Sequence, residues 1–211
     1  MELSEALERI KQLEQENERL QKEVQLTKLR RRVTPHFLFN SLSVAMGLVM
    51  QDRKTAVAFL RDLAKMYRYL LSYGNEYAVP IEQEVEMMEQ YYGLMSLRHV
   101  DSILLNITPE VRKTKGYGIP PLSLQGLLEN AIRHNAHSKK QPLHVTLDVE
   151  DGYLVMQNNI MPLVAVGDST KMGLAYITES VRLLHNRDIK IENDGERFTV
   201  RIPLVDSLIS N

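Results

Sequence analysis

The chain has 211 residues, with 26 Lys plus Arg, 27 Asp plus Glu, 44% hydrophobic residues and no cysteine. This composition is typical of a globular protein, and the missing cysteines exclude disulfides, thiolate nucleophiles and cysteine-based zinc sites. A net charge of -1 leaves no basic surface on which counterion release could drive binding, so we expect no nucleic-acid partner. The charged helical pattern at the N-terminus predicts no secretory leader, and the lack of cysteine fits a reducing compartment such as the cytoplasm.

The first region, residues 1–32, predicts a coiled coil that joins two copies of the chain. Residues 2–32 contain no Gly or Pro, and apolar residues recur at heptad spacing. The first core position holds Leu3, Ile10, Asn17 and Val24, and the second holds Ala6, Leu13, Leu20 and Thr27. Asn17 indicates a parallel homodimer, because its amide pairs best with its own copy across a two-stranded coil. A solvated single helix is the alternative interpretation.

The second region, residues 33–77, predicts a helical hairpin. Pro35 either kinks the first helix or begins a new one with Thr34 as its N-cap. Beyond it, an apolar stripe recurs at steps of 4, 3 and 4, and His36 lies on the opposite, polar side of the helix. A second amphipathic helix is predicted over 54–73. Two such hairpins, brought together by the coil, would form a four-helix dimer bundle.

The run from residue 33 to 51 carries no Lys, Arg, Asp or Glu and is long enough to span a bilayer. It also contains Thr, Pro, His, Asn, Ser and Gln, and these polar groups would lack water partners in hydrocarbon. We therefore expect a bundle helix in this segment and no membrane span.

The third region, residues 78–211, predicts an α+β domain in which helices alternate with antiparallel strand pairs. Asp-Gly pairs at 151–152 and 194–195 predict tight hairpin turns, because such pairs tolerate left-handed backbone geometry. The predicted helices are 82–98, 122–135 and 172–184, and the predicted strands are 102–108, 143–149, 153–157, 189–192 and 198–202.

Side chains suited to phosphoryl transfer occur in several places. His36 is predicted to be accessible, and a neutral imidazole can act as a nucleophile, although most single histidines have structural roles. On the 122–135 helix, Glu129 with Arg133 and Asn130 with His134 form i, i+4 pairs. Asn130 offers a hard oxygen ligand for Mg²⁺, and its basic neighbours offer charges for phosphates. A surface helix with a salt bridge is the alternative interpretation.

A loop between Asn158 and Gly173 is the remaining candidate. It follows a predicted strand that ends in Asn158 and Asn159, and Gly173 begins the next helix. Glycine at a helix start allows backbone N–H groups to approach a phosphate. An ordinary surface loop explains the same pattern.

Two of these segments together resemble a known family. Residues 34–42, TPHFLFNSL, resemble the histidine box of LytS-like bacterial sensor histidine kinases. Residues 119–134, IPPLSLQGLLENAIRH, resemble the nucleotide-binding N box of the same family, and 172–174 and 198–204 resemble its C-terminal pattern. The resemblance extends over about residues 25–205.

The resemblance implies an ATP-binding sandwich of the kind shared with type II topoisomerases, attached to the dimer bundle. It implies that His36 accepts the phosphoryl group, that Glu129 is the base, and that Asn130 binds Mg²⁺. Arg133 and His134 would neighbour the phosphates of ATP. Gly173 would also contact the nucleotide. The acidic adenine-contacting motif of other histidine kinases is missing from this sequence, and Asn158 or Asn159 is its nearest substitute.

The resemblance also implies partners: a response regulator receiver domain that takes the phosphoryl group, and an upstream sensor or membrane segment. The glycine-rich region departs most from the family pattern, with Lys171 where Gly is common and Tyr176 where Asn is common. We expect a cytoplasmic sensor histidine kinase core that is the cytoplasmic part of an inner-membrane sensor. The alternative is a dimeric signalling adaptor whose ATP site is weakened or lost.

Overall fold

The computed structural model describes residues 2–73, 76, 78–98, 101–161 and 172–206. Within its helices the backbone is described throughout, whereas side chains are not described at 2–6, 22–23, 26, 28–41, 51, 97–98, 172–173 and 184.

Two long helices form an N-terminal hairpin: α1, Glu2–Gln51, and α2, Arg53–Tyr73. Helix α1 continues through Pro35, so the alternative in which a new helix begins at Thr34 is wrong. Asp52 separates the two helices and caps α2, because its carboxylate accepts hydrogen bonds from the Lys54 and Thr55 backbone N–H groups at 3.0 Å each. The predicted hairpin of helices is therefore present.

The remaining elements form a mixed helix and sheet domain. In chain order its helices are α3, Ile81–Arg98; α4, Pro109–Lys113; α5, Ser123–His134; and α6, Met172–His185. Its strands are β1, Val79–Pro80; β2, Ile103–Ile107; β3, Tyr117–Ile119; β4, Leu143–Glu150; β5, Tyr153–Asn159; β6, Lys190–Asn193; β7, Arg197–Pro203; and β8, Val205–Asp206.

Among the described residues the main sheet has five strands in the order β2-β4-β5-β7-β6. Strands β4 and β5 form the predicted hairpin, with Asp151 at φ 49° and Gly152 at φ 78° in its turn. Strand β2 pairs with β4 in parallel, whereas the sequence pattern predicts antiparallel strand pairs. A small second sheet, β1-β3-β8, and helix α4 were also not predicted, because such short elements show no hydrophobic period.

One hydrophobic core runs from the hairpin into the mixed domain. Phe59 and Met66 of α2 belong to the same buried cluster as Met88 of α3, Leu128 of α5 and Ile177 of α6. The hairpin is thus packed onto the domain by burial of apolar surface. The coarse prediction of helices followed by an α+β domain is confirmed, while the parallel coiled coil and the boundaries at 32 and 77 stay predictions.

A search of the described helices for one long and apolar enough to cross a membrane finds none.

Candidate functional site

A cavity of about 540 Å³ lies between α5, α6 and one end of the main sheet. Its apolar wall comes from Ile160, Leu174, Ile191 and Phe198. Its polar lining comes from Asn130, His134, Asn135, Asn158, Thr178 and Asn193. A largely apolar cavity of this size with a few convergent polar groups is the usual form of a small-molecule site.

Helix α5 places two of the predicted residues in this cavity. Its apolar stripe, which includes Leu124, Leu128 and Ala131, is buried against the core. Asn130 and His134, one turn apart, therefore both face the cavity. The Asn130 side chain has no hydrogen-bond partner among the described residues, so its amide oxygen is available to a ligand.

The other predicted pair on α5 lies outside the cavity lining. Nη2 of Arg133 donates to Oε1 of Glu129 at 2.5 Å, and Nε2 of Gln125 donates to Oε2 of Glu129 at 3.2 Å. Both members of the Glu129 and Arg133 pair are partly exposed at the side chain, at 25% and 33%. The pair is consequently a helix-surface ion pair beside the cavity.

The two asparagines at the end of β5 have different surroundings. Asn158 is buried and lines the cavity, where its Nδ2 donates to the backbone oxygen of Asn159 at 2.7 Å. The Asn159 side chain accepts from the His144 N–H at 2.8 Å and donates to the Pro142 oxygen at 3.3 Å. Asn159 therefore ties β5 to the start of β4, and Asn158 is the one placed to meet a ligand.

Helix α5 is joined at its end to the chain that follows β5. Oδ1 of Asn135 accepts from the Met161 N–H at 2.6 Å, and its Nδ2 donates to the Ala131 oxygen at 2.8 Å. The Ala136 N–H donates in turn to the Met161 oxygen at 2.6 Å. These bonds fix the cavity wall just before residues 162–171. No spacing in the sequence had singled out Asn135.

Two predicted site residues lie wholly or partly outside what the structure describes. His36 lies on the backbone of α1, but its side chain is outside the described residues. Gly173 lies in the first turn of α6, and its surroundings are likewise not described. Their roles stay predictions.

A buried carboxylate lies at the other end of α5, and sequence reasoning missed it. Glu84 of α3 is 0% exposed and accepts from the Leu122 N–H at 2.6 Å and the Leu124 N–H at 3.0 Å. The hydroxyl of Tyr69 on α2 donates to the same carboxylate. Glu84 falls among the apolar residues Ile81, Val85 and Met88, and a charge within a buried stripe was the available signal.

Burial dominates the electrostatics of this carboxylate. It raises the pKa of Glu84 to about 7, against the opposing effect of the donors from Tyr69, Leu124 and Leu122. Burial, together with the nearby Glu84 charge, also raises the pKa of the Tyr69 hydroxyl far above its ordinary value. Tyr69 therefore remains a neutral donor at any physiological pH.

Comparison with known proteins links part of the chain to histidine kinases. The family model described as histidine kinase matches residues 24–103, which include most of the hairpin and α3. Sensor protein kinase HptS from Staphylococcus aureus strains USA300 and NCTC 8325 is 28% identical over 209 residues. The alignment covers 89% of this chain and 40% of HptS, so the chain spans less than half the length of these relatives.

Solved structures of two histidine kinases also align with the chain. Acinetobacter baumannii histidine kinase AdeS gives a TM-score of 0.39 at 17% identity, covering 80% of this chain and 97% of the other. A histidine kinase from Burkholderia phymatum STM815 gives 0.40 at 11% identity, covering 87% and 95%. The family model and the curated relatives together support a relationship to sensor histidine kinases, whereas the finer LytS-like assignment stays a prediction.

Proposed function

We propose that this chain is the kinase core of a sensor histidine kinase, which uses ATP to phosphorylate His36 and passes the phosphoryl group to an aspartate of a response regulator. The observation that carries this proposal is the cavity between α5 and α6. The segment that resembles a nucleotide-binding motif supplies Asn130 and His134 to its lining. The family match over residues 24–103 supports the same reaction class.

The cavity suits a nucleotide in size and chemistry. Its apolar wall, with Ile191 and Phe198 on β6 and β7, can cover the faces of a purine ring. The buried Asn158 amide can hydrogen-bond to the edge of the ring. Asn130 and His134 lie on the α5 side, where the phosphates would extend. The base would therefore sit deep and the phosphates near α5.

Magnesium fits the donor set at Asn130. The free amide oxygen of this side chain is a hard ligand of the type that Mg²⁺ accepts alongside substrate phosphates and water. When bound, the ion would neutralise charge on the phosphate oxygens. His134 would add hydrogen-bond donors from the cavity-facing side of α5, and Arg133 would add positive charge from beside the cavity lining.

In the proposed reaction, a neutral ring nitrogen of His36 attacks the γ-phosphorus of ATP. The new N–P bond forms as the bond from the γ-phosphorus to the bridging oxygen breaks, and ADP leaves with that electron pair. The phosphorylated ring gives up a proton, for which we assign Glu129 as the acceptor. Nη2 of Arg133 donates to Oε1 of Glu129 at 2.5 Å, which would fix the orientation of this carboxylate.

A homodimer fits the surface of the two long helices. Apolar side chains at heptad spacing on α1 are about half exposed in the single chain, including Ile10 at 53% and Leu20 at 54%. Further exposed apolar residues lie on the hairpin, among them Met46, Val49, Val57 and Leu60. Such a surface needs a partner, and a second copy aligned in parallel would cover it. We propose this dimer as the functional unit.

The alternative function is a dimeric signalling adaptor with a weak or lost ATP site. It is favoured by the absence of any carboxylate among the described residues that line the cavity, to which Asn158, one of the two nearest substitutes for the acidic adenine contact, contributes an amide. Tight, magnesium-dependent ATP binding would exclude the adaptor.

The decisive experiment is incubation of the chain with γ-labelled ATP and magnesium. We expect a label that is stable in alkali and labile in acid, as a phosphohistidine is. It should be absent from His36→Ala and present in His144→Ala, a matched change at an exposed histidine of the sheet domain. A folded, dimeric parent that takes up no label would contradict the kinase proposal. Transfer of the label to a receiver domain would then identify the partner.

We place the chain in the cytoplasm, downstream of a sensor or membrane segment. The greater length of the matched sensor kinases leaves room for such a segment. In this arrangement α1 would transmit rotation or register changes to the hairpin.

A further inference from the structure

We propose that Glu84 is a positioning residue for the nucleotide helix α5, and that Tyr69 makes this positioning depend on how the phosphotransfer hairpin is docked. The proposal rests on the kinase function proposed above. It concerns how the start of α5, the helix that carries Asn130, is held relative to α2.

Glu84 caps the N-terminal end of helix α5. The first N–H groups of a helix have no partner within the helix, and a carboxylate satisfies both their hydrogen bonds and the positive end of the dipole. Here the residues that enter α5 have no side-chain cap of their own. Instead the Leu122 and Leu124 N–H groups donate to the two oxygens of Glu84, which comes from α3.

The backbone is strained at the same point, at Leu122. Leu122 has φ of 64°, the left-handed region that a branched residue rarely adopts. The Leu122 side chain is nevertheless buried in the core. This conformation persists because its surroundings determine it, and the Glu84 carboxylate is the group that binds its N–H. Loss of that acceptor would allow the start of α5 to relax.

Tyr69 connects the Glu84 cap to the hairpin. Tyr69 on α2 donates to the same Glu84 oxygen that accepts from the Leu122 N–H. Tyr176 of α6 also lies near enough to Tyr69 to contribute to the raised pKa of its hydroxyl. Helices α2, α3 and α5 thus meet at one buried carboxylate. A shift of α2 would withdraw one donor from Glu84 and alter the cap on α5.

The chain offers a matched control for each residue. Tyr73 lies one turn after Tyr69, and its ring packs against the Tyr69 ring at a 45° tilt with centroids 5.0 Å apart, yet its hydroxyl donates to no described carboxylate. Glu86 lies two residues after Glu84, is exposed, and accepts only from Gln90 at 3.4 Å among the described residues. Tyr73→Phe thus removes a hydroxyl and Glu86→Gln replaces a carboxylate by an amide, as the two test variants do, while leaving the described hydrogen bonds of Glu84 unchanged.

The test uses hydrogen exchange of the peptide that covers residues 117–128 in the full chain. Tyr69→Phe should speed exchange at the start of α5 at least threefold, and Glu84→Gln should speed it further, while Tyr73→Phe and Glu86→Gln match the parent. Unchanged exchange in Tyr69→Phe would overturn the dependence on the hairpin. If Glu84→Gln does not fold, Tyr69→Phe still decides the question, because it removes a single hydroxyl.

A kinetic measurement then separates positioning from general stability. In Tyr69→Phe we expect the rate of His36 phosphorylation at saturating ATP to fall at least threefold, with the Kd of ATP changed less than twofold. A parent-like rate would overturn the link to phosphoryl transfer. If the parent itself is not phosphorylated, the kinase proposal fails, whereas the exchange result still reports whether Tyr69 and Glu84 hold α5.

Discussion

The carboxylate of Glu129 is bound to the guanidinium of Arg133 at 2.5 Å, one turn along the helix that lines the candidate nucleotide cavity. This hydrogen bond orients the side chain that we assign as the base. Neither residue is among the described residues that line the cavity.

Removal of this carboxylate should affect catalysis more than folding. Glu129→Gln is expected to lower autophosphorylation about 10²- to 10⁴-fold, the usual contribution of a general base, while ATP binding persists. A partly exposed i, i+4 pair contributes roughly 0.3–0.5 kcal/mol, so the melting temperature should change little. Glu150→Gln, which breaks a comparable pair with Arg201 at 2.6 Å, is the control. Parent-like autophosphorylation in Glu129→Gln would exclude it as the base.

Asn130 should govern nucleotide affinity. Its side chain has no hydrogen-bond partner among the described residues, so Asn130→Ala should leave the fold intact. Loss of a magnesium ligand should weaken magnesium ATP binding at least tenfold, by analogy with the cost of a charge-assisted contact, about 1.5–3 kcal/mol. Isothermal titration measures the affinity. Asn106→Ala, on the exposed side of β2, should bind ATP as the parent does. Equal affinities in the two variants would refute the role of Asn130.

Stability should depend on pH through Glu84. Its pKa is raised by burial to about 7 in the folded chain, above the ordinary 4.5. The folded state therefore favours the protonated form, so this group stabilises fully below about pH 4.5 and loses that contribution as pH rises through about 7. Over that window the parent should lose up to a few kcal/mol of unfolding free energy relative to Glu84→Gln, which does not titrate.

The parent must be compared with Glu84→Gln because other groups titrate in the same pH window. Burial lowers the pKa of His137 and His185, so these residues favour folding more as the pH rises, which is the opposite sign. Both histidines are present in the parent and in Glu84→Gln, and their effects cancel in the difference. Melting curves between pH 4.5 and 8 measure it. If the difference in unfolding free energy between the parent and Glu84→Gln were the same at every pH, the raised pKa of Glu84 would be contradicted.

The predicted coiled coil can be tested by a substitution at one of its core positions. Leu20→Glu would place a charge at a core position in both chains, where it would be buried against its copy. We expect it to shift the dimer toward monomer at micromolar concentration, measured by light scattering after size exclusion. Gln15→Glu, at the outer heptad position and exposed, should stay dimeric. A monomeric parent would contradict the dimer itself.

Much of the secondary structure could be predicted from periodicity. The helices of the hairpin, α3, α5 and α6 all carry apolar residues at helical spacing, and the β4–β5 turn carries the Asp-Gly pair that its geometry requires. The adjacency of Asn130 and His134 also follows from helical spacing alone, and both line the cavity. These features depend on residues close together in the chain.

The tertiary structure alone separated Asn158, which lines the cavity, from Asn159, which binds the start of β4. Neighbouring residues on a strand point to opposite faces, and only the partner strands decide which face meets a ligand. It likewise brought Glu84 to Leu122 and Leu124 across 38 and 40 residues, and Tyr69 to Glu84 from another helix. A local pattern marks Glu84 as a charge in an apolar stripe, but its partners are chosen by packing between distant segments.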